Sequence, residues 1–278
     1  MWSYSITDYG TAADTYTLNG GNLLSITDEG GNNKFSMSNC YESGIKATGS
    51  GNDTYKYTNM SDCWIDDYAG NDNYNISKSW LAIIEDFAGN DIYKLTNTEY
   101  SSITDSAGDD NYTIAKSKDI SIGDGDGNDS YSIDIKGIKN GRYYIEDCGS
   151  GTDSLTISGL NAKNVVYLTD FNEYEKNTGD LIILDKSSKN YIQIDHFFDY
   201  NAVSGHIYDE FAEGRIETIK AGNTTLNIDE LSMSNHLNII NASIASWLTL
   251  GAEYDSVIEV LNSGDNNAIN ELIAYCQG

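Results

Sequence analysis

A five-residue phrase returns along the first half of this chain at a fixed interval, and the interval constrains the fold more than any other feature. It reads GNDTY from Gly51, GNDNY from Gly70, GNDIY from Gly89, GDDNY from Gly108, GNDSY from Gly127 and GTDSL from Gly151. Its central acids are Asp53, Asp72, Asp91, Asp110, Asp129 and Asp153, so four successive steps are 19 residues and the last is 24. Toward the N-terminus Asn33 and Asp14 carry the beat on at 20 and 19. A period this short describes one structural unit stacked on copies of itself, none able to bury its apolar side alone.

Each unit has the same anatomy. After the central acid, apolar residues alternate, as in Tyr55 and Tyr57, Tyr74 and Ile76, Tyr93 and Leu95, Tyr112 and Ile114. A second alternating pair precedes the next phrase: Cys63 and Ile65, Ala82 and Ile84, Ser101 and Ile103, Ile120 and Ile122. Period two is strand period, so each unit reads as strand, turn, strand, turn, with aromatic and aliphatic ladders inside. The expected fold is mainly β: a parallel β-roll or β-solenoid of seven to eight 19-residue coils over 1–158. A non-repetitive β capping segment over 159–231 and a helical C-terminal tail over 232–278 complete it.

Stacking brings equivalent residues to about 4.8 Å, the spacing of neighbouring strands. Two carboxylates at that distance repel by about 3.5 kcal/mol at an effective dielectric near 20. Here the ladder of central acids is doubled by Asp28, Asp67, Asp86, Asp105 and Asp124, each five residues upstream of its partner. Such a column lines one edge of the stack and needs counter-ions. Hard cations that take several carboxylate and carbonyl oxygens fit these turns, calcium better than magnesium. Purely structural turns would take Asn as readily as Asp, yet the central position is Asp in seven of eight beats.

These phrases resemble the glycine- and aspartate-rich nonapeptide repeats of RTX proteins, the haemolysin-type calcium-binding β-roll. The resemblance implies several Ca²⁺ ions between successive turns on one edge, held by the aspartates and by backbone carbonyls. Carried over by position, Asp53, Asp72, Asp91, Asp110 and Asp129 are ligands, with Asp153 and Asp14 weaker, and the upstream acids Asp67, Asp86, Asp105 and Asp124 complete the set. The chain departs from the family pattern in two ways. Asp replaces the first glycine of the motif, and only every other turn carries it, the intervening turns reading SKSW, TNTEY and AKSKD. In the coil of Asp53 the upstream acid is replaced, by Thr48 on this reading.

The resemblance further implies a secreted or cell-surface bacterial protein that folds on calcium binding after type I export. Its C-terminal tail would be the signal read by the exporter. The stretch YIQIDHFF, followed at a distance by RIETIKAGNTTLNIDEL, is similar to the segment that closes such arrays. An alternative is a surface adhesin or surface-layer scaffold, the roll serving as spacer or binding face for a host or cell-surface ligand through Trp64, Trp80 and Tyr100.

Composition limits the other options. A formal charge of -27 disfavours nucleic acid as a partner, and the absence of proline suits strands that need every amide for the ladder. No apolar run approaches 18 residues, so no membrane span is expected. Cys40, Cys63, Cys148 and Cys276 have no CxxC spacing, and Cys63 falls on an inward position. No GxSxG, HExxH or phosphate-loop motif occurs, so no catalytic site is expected. His196, His206 and His236 are read as satisfied polar residues rather than a metal cluster. Between Asp129 and Asp153 the five extra residues near Lys136 to Arg142 form a bulge or loop. Near the end, Leu237 to Leu248, Tyr254 to Leu261 and Ile269 to Cys276 each carry helical periodicity, giving three short amphipathic helices.

Overall fold

The structure, a computed structural model, describes residues 4–170, 178–199, 216–227 and 257–275. Over the repeats it is a parallel β-solenoid with two faces. One face stacks Thr15–Asn22, the start of Lys34–Ala47, Thr54–Thr58, Asn73–Ser77, Ile92–Thr96, Asn111–Ala115, Ser130–Asp134 and Ser154–Ser158. The other stacks Tyr4–Asp8, Leu24–Asp28, the end of Lys34–Ala47, Ser61–Asp66, Trp80–Glu85, Glu99–Thr104, Lys118–Asp124 and Arg142–Asp147.

The inward ladders follow from the alternation. On the first face Tyr16, Phe35, Tyr55, Tyr74, Tyr93, Tyr112 and Tyr131 stack with ring centroids 4.7–5.1 Å apart and planes within 9°. On the second, Ile45, Ile65, Ile84, Ile103, Ile122, Ile145 and Ile194 align one above another, all buried. A fully buried side chain of this size contributes roughly 1.5–3 kcal/mol, but only while its neighbours above and below are in place.

The turns opposite the glycine phrases take their shape from left-handed backbone at non-glycine residues. Lys78 and Leu81, Asn97 and Tyr100, and Lys116 and Asp119 all have φ of 53–56°. The second of each pair makes a bulge, so two consecutive residues, such as Trp80 and Leu81, turn away from the core before Ala82 turns back in. Inside these turns Ser79, Thr98 and Ser117 are buried, and the Ser79 and Ser117 hydroxyls accept the amides of Met60 and Thr98.

The five-residue excess forms a loop after Ile135. Its Gly141 amide donates to Asn190 Oδ1 (2.8 Å), and Asn190 Nδ2 donates to the Ile138 carbonyl (3.0 Å). Beyond it, Asn190–Asp199 adds a parallel strand to one face of the roll and Thr218–Ala221 to the other. Val165–Asp170, Thr178–Asp185 and Asn190–Asp199 form an antiparallel set, and Thr218–Ala221 and Thr224–Asn227 a hairpin. The non-repetitive part thus extends both faces of the stack. Two helices follow, α1 (Val257–Asn262) and α2 (Asn266–Tyr275). Their Val257, Val260, Ile269 and Leu272 form a second small core with Leu168, Ile182, Leu184 and Tyr191. The first of the three expected helices, at Leu237 to Leu248, lies outside the described residues, as do His206, His236 and Cys276. Cys63 is buried and free. No described helix is long and apolar enough to cross a membrane.

Candidate metal centre

The acids that the repeat sets in register turn into the coil. Asp53, Asp67, Asp72, Asp86, Asp91, Asp105, Asp110, Asp124, Asp129 and Asp153 are all buried, none more than 5% exposed. The column follows one edge of the stack and runs inside its turns. The reason is the glycine at the start of each phrase. An added Cβ at Gly89 would lie 1.6 Å from the Gly70 carbonyl oxygen of the preceding coil, so the turn closes tightly enough to draw the following acid under it. The same Cβ position is 2.8 Å from Asp91 Oδ2, which puts that carboxylate oxygen and the Gly70 carbonyl around one spot.

The two oxygens of each central acid have different fates. Oδ1 accepts the backbone N–H of the preceding coil's central residue: Asp53 donates to Asp72, Asp72 to Asp91, Asp91 to Asp110, Asp110 to Asp129 and Asp129 to Asp153, at 2.5–2.7 Å. The Asp153 amide ends the relay on Glu217 Oε2 (2.6 Å). Oδ2 of Asp72, Asp91, Asp110 and Asp129 is buried and has no hydrogen-bond partner. A buried anionic oxygen without a partner costs several kcal/mol, so this atom calls for a positive charge or a proton.

The upstream acids form a second column, laced by tyrosine hydroxyls. Tyr74 donates to Asp86 (2.6 Å) and lies 3.3 Å from Asp67; Tyr93 donates to Asp105 (2.6 Å) and lies 3.4 Å from Asp86. Tyr131 lies between Asp124 (2.6 Å) and Asp147 (2.9 Å). Tyr112 is the exception, its buried hydroxyl making no sound hydrogen bond.

Together the columns gather carboxylate oxygens within 4.8 Å of one another in sets such as Asp67, Asp72 and Asp86; Asp86, Asp91 and Asp105; and Asp110, Asp124 and Asp129. Asp8, Asp14 and Asp28 make a half-buried set near the N-terminus. These clusters could hold metal ions, and their all-oxygen donors of carboxylate and carbonyl type suit a hard cation. Burial, then the negative neighbours, pushes Asp67, Asp72, Asp91 and Asp110 well above the ordinary carboxylate range. Asp129 rises to about 7 and Asp147 to about 8, again chiefly by burial. Asp53, Asp124 and Asp153 rise to about 6 for the same reason.

One coil shows what the pocket accepts. Asn33 occupies the central position with Oδ1 in the usual place, accepting the Asp14 amide (2.8 Å). Its Nδ2 stands where the others carry Oδ2, and donates to Asp28 Oδ1 (2.9 Å) and the Gly30 carbonyl (3.1 Å). An electropositive group at this point is therefore surrounded by an upstream carboxylate and a glycine carbonyl.

Two residues depart from the sequence reading. The strand register places Ala47, not Thr48, on the ladder position of Asp28 and next to that of Asp67, because the 20-residue step adds its extra residue after the strand. Asp53 accordingly lacks an upstream acid in its own coil, and the Tyr55 hydroxyl lies 3.3 Å from its Oδ2. Asp147 was missed. It aligns with Asp124 but precedes its central acid by six residues instead of five; register with Asp124 through the Ile122 and Ile145 ladder would have found it.

No family model, curated protein or solved structure matches this chain.

Proposed function

We propose that the chain is a calcium-binding module of the RTX β-roll type, belonging to a secreted bacterial protein and folding when calcium enters the column. The observation that carries this reading is the row of buried, unpartnered Oδ2 atoms at Asp72, Asp91, Asp110 and Asp129, set against Asn33, whose amide nitrogen satisfies the same surroundings. Calcium is favoured over magnesium because carboxylates and carbonyls imposed by a β-turn cannot offer a strict octahedron. Without ions the acidic interior would have to hold protons or separate, so in a calcium-poor cytoplasm the repeats would remain unfolded and fit for type I export. Outside the cell, ions would lock each coil to the next. Binding at roughly 0.1–1 mM, the range of extracellular modules, would suit that switch. The helical tail would be the part read by the exporter.

The test is circular dichroism and thermal melting at neutral pH after chelation, followed by calcium titration with magnesium as control. Strand signal and a cooperative melt that arise only with calcium support the reading. A chelated protein already folded, with a melt unmoved by calcium, would refute it.

A second reading rests on the outer surface. Trp80 and Tyr100 are 46% and 43% exposed and meet edge to face at 6.1 Å, and Tyr68 packs beside Phe87 at 5.4 Å. Such pairs suit a surface adhesin or scaffold that contacts a host or cell-surface ligand, which a glycan-array experiment with and without calcium would detect. Trp64 does not belong with them, because its indole lies half-buried over Gly44, where a Cβ would meet the ring at 2.2 Å.

A further inference from the structure

Where the last regular coil meets the capping strands, a second group of metal-type ligands gathers outside the roll. A bulge creates it. Between the pairs Gly179 with Phe198 and Leu181 with Ile194, the single residue Asp180 faces a longer stretch of the opposite strand, and His196 takes φ of 49°. Alternation is broken there, so Asp195 and His196 both face outward between buried Ile194 and Phe197. Across the parallel pairing the outward residue of the neighbouring strand is Glu146, and Cys148 follows two positions later. Bulges often aim side chains in this way at functional sites.

Three of these groups lie as ligands around one small ion would, with the Cys148 thiol beside one of them. Carboxylate oxygens of Glu146 and Asp195 and a ring nitrogen of His196 lie within 4.8 Å of one another. His196 Nδ1 is 3.4 Å from Asp195 Oδ2, and Cys148 Sγ is 3.6 Å from Glu146 Oε1. Two ligands at about 2.0 Å from a tetrahedral zinc are about 3.3 Å apart, and a thiolate at about 2.3 Å with an oxygen at about 2.0 Å about 3.5 Å apart. The outer partners are also in place. The Tyr144 hydroxyl donates to Asp195 Oδ2 (2.6 Å), and Asp180, held by Gln193 Nε2 (2.6 Å) and the His196 amide (3.2 Å), stands behind. Among the described residues no Lys or Arg forms an ion pair with Glu146, Asp180 or Asp195. Three carboxylates are thus collected around one imidazole, and among the described residues no Lys or Arg balances them.

We propose that Glu146, Asp195 and His196, with the Cys148 thiol as fourth ligand, bind one borderline transition-metal ion of the zinc class. Nitrogen and sulfur donors separate this site from the all-oxygen column, so the two take different ions. The proposal gives His196 a role beyond that of a satisfied polar residue. By tying the strand Arg142–Asp147 to Asn190–Asp199, the ion would fasten the cap to the last coil.

The test is a Co²⁺ titration of the full chain in saturating calcium, followed by visible and near-ultraviolet absorption. The expected result is one equivalent of tetrahedral Co²⁺ with a thiolate charge-transfer band, displaced by Zn²⁺ and not by further calcium. His196→Ala and Glu146→Gln should each weaken binding at least about 100-fold, the upper end of what even outer partners contribute. Cys148→Ser should remove the thiolate band. The calcium-dependent dichroism of each variant verifies that the roll still forms. Absence of saturable Co²⁺ binding, or equal affinity in His196→Ala, overturns the site, and neither result bears on the calcium column.

Discussion

Asn33 Nδ2 donates to Asp28 Oδ1 at 2.9 Å, and that bond occupies the place which the later coils leave open beside Oδ2 of Asp72, Asp91, Asp110 and Asp129. One amide hydrogen-bond donor does in the second coil what a cation would do elsewhere. On the proposed function, the exchange of Asn for Asp at this position is an exchange of a built-in donor for a borrowed charge.

Asp91→Asn should copy the Asn33 arrangement. The variant is expected to bind one ion fewer, or to lose one ion's worth of cooperativity, while its chelated form gains stability, because the amide donates to Asp86 and the Ala88 carbonyl as that of Asn33 does to Asp28 and the Gly30 carbonyl. Asp91→Ala should lose the ion and also leave the Asp72 amide without its acceptor, a cost of about 1–3 kcal/mol. Calorimetric stoichiometry and melts in calcium distinguish the two; unchanged stoichiometry in both would show that Asp91 is not a ligand.

The metal-free roll should be an acid-stable fold. Its carboxyls hold protons more tightly folded than unfolded, with Asp129 raised to about 7 and Asp147 to about 8 against an ordinary value of about 3.9. Stability is then complete below about pH 4 and declines as pH rises through these raised values. Calcium competes with the same protons, so its affinity should rise over the same range. Chelated protein should give a cooperative melt at pH 4.5 and none at pH 8, and calcium should restore the melt at pH 8.

The tyrosine hydroxyls separate by position. Tyr74→Phe keeps the stacked ring but deprives Asp86 and Asp67 of a shared donor, at an expected cost of about 1–3 kcal/mol in the melt with calcium. Tyr112→Phe should be nearly neutral, since its hydroxyl makes no sound bond. Equal losses in the two would show that the rings, not the hydroxyls, set the effect.

Gly89→Ala places a methyl group against the Gly70 carbonyl at 1.6 Å, in a residue with φ of 156°. Destabilisation should exceed about 1 kcal/mol and should lower calcium affinity as well, because the coil cannot close on its neighbour. Gly123→Ala, with open space at its Cβ, is the matched control.

Much of this architecture can be read from residue order alone. The 19-residue beat and the alternation after it give the stacking register of Tyr55, Tyr74, Tyr93 and Tyr112, because identical environments select identical residues. The inward placement of the acids was not legible, since aspartate after glycine reads equally well as an exposed turn, and only the close approach of Gly70 and Gly89 draws it in. The substitution at Ala47 escaped because a 20-residue step does not say on which side of the strand its extra residue falls. The left-handed conformations of Leu81 and Tyr100 carry no signal in residue type, as such side chains ordinarily avoid that region. The bulge at His196 was hidden for the same reason, and with it the grouping of Asp195 and His196 on one side.

The relay of amides onto Oδ1 atoms gives the stack a polarity. Each central N–H is satisfied only by the coil that follows it, and the series terminates on Glu217 in the cap. A partial stack missing its early coils keeps every central amide paired, whereas one missing its late coils leaves a central amide without its acceptor; the next amides along, those of Asn73 and Ile92, point the other way, to the Asp53 and Asp72 carbonyls. Growth from the cap toward Asp14 therefore pairs each central amide as its coil docks, like a zip with a single slider. Whatever pulls the chain through a narrow passage with that end leading would find each newly emerged coil locking behind the last.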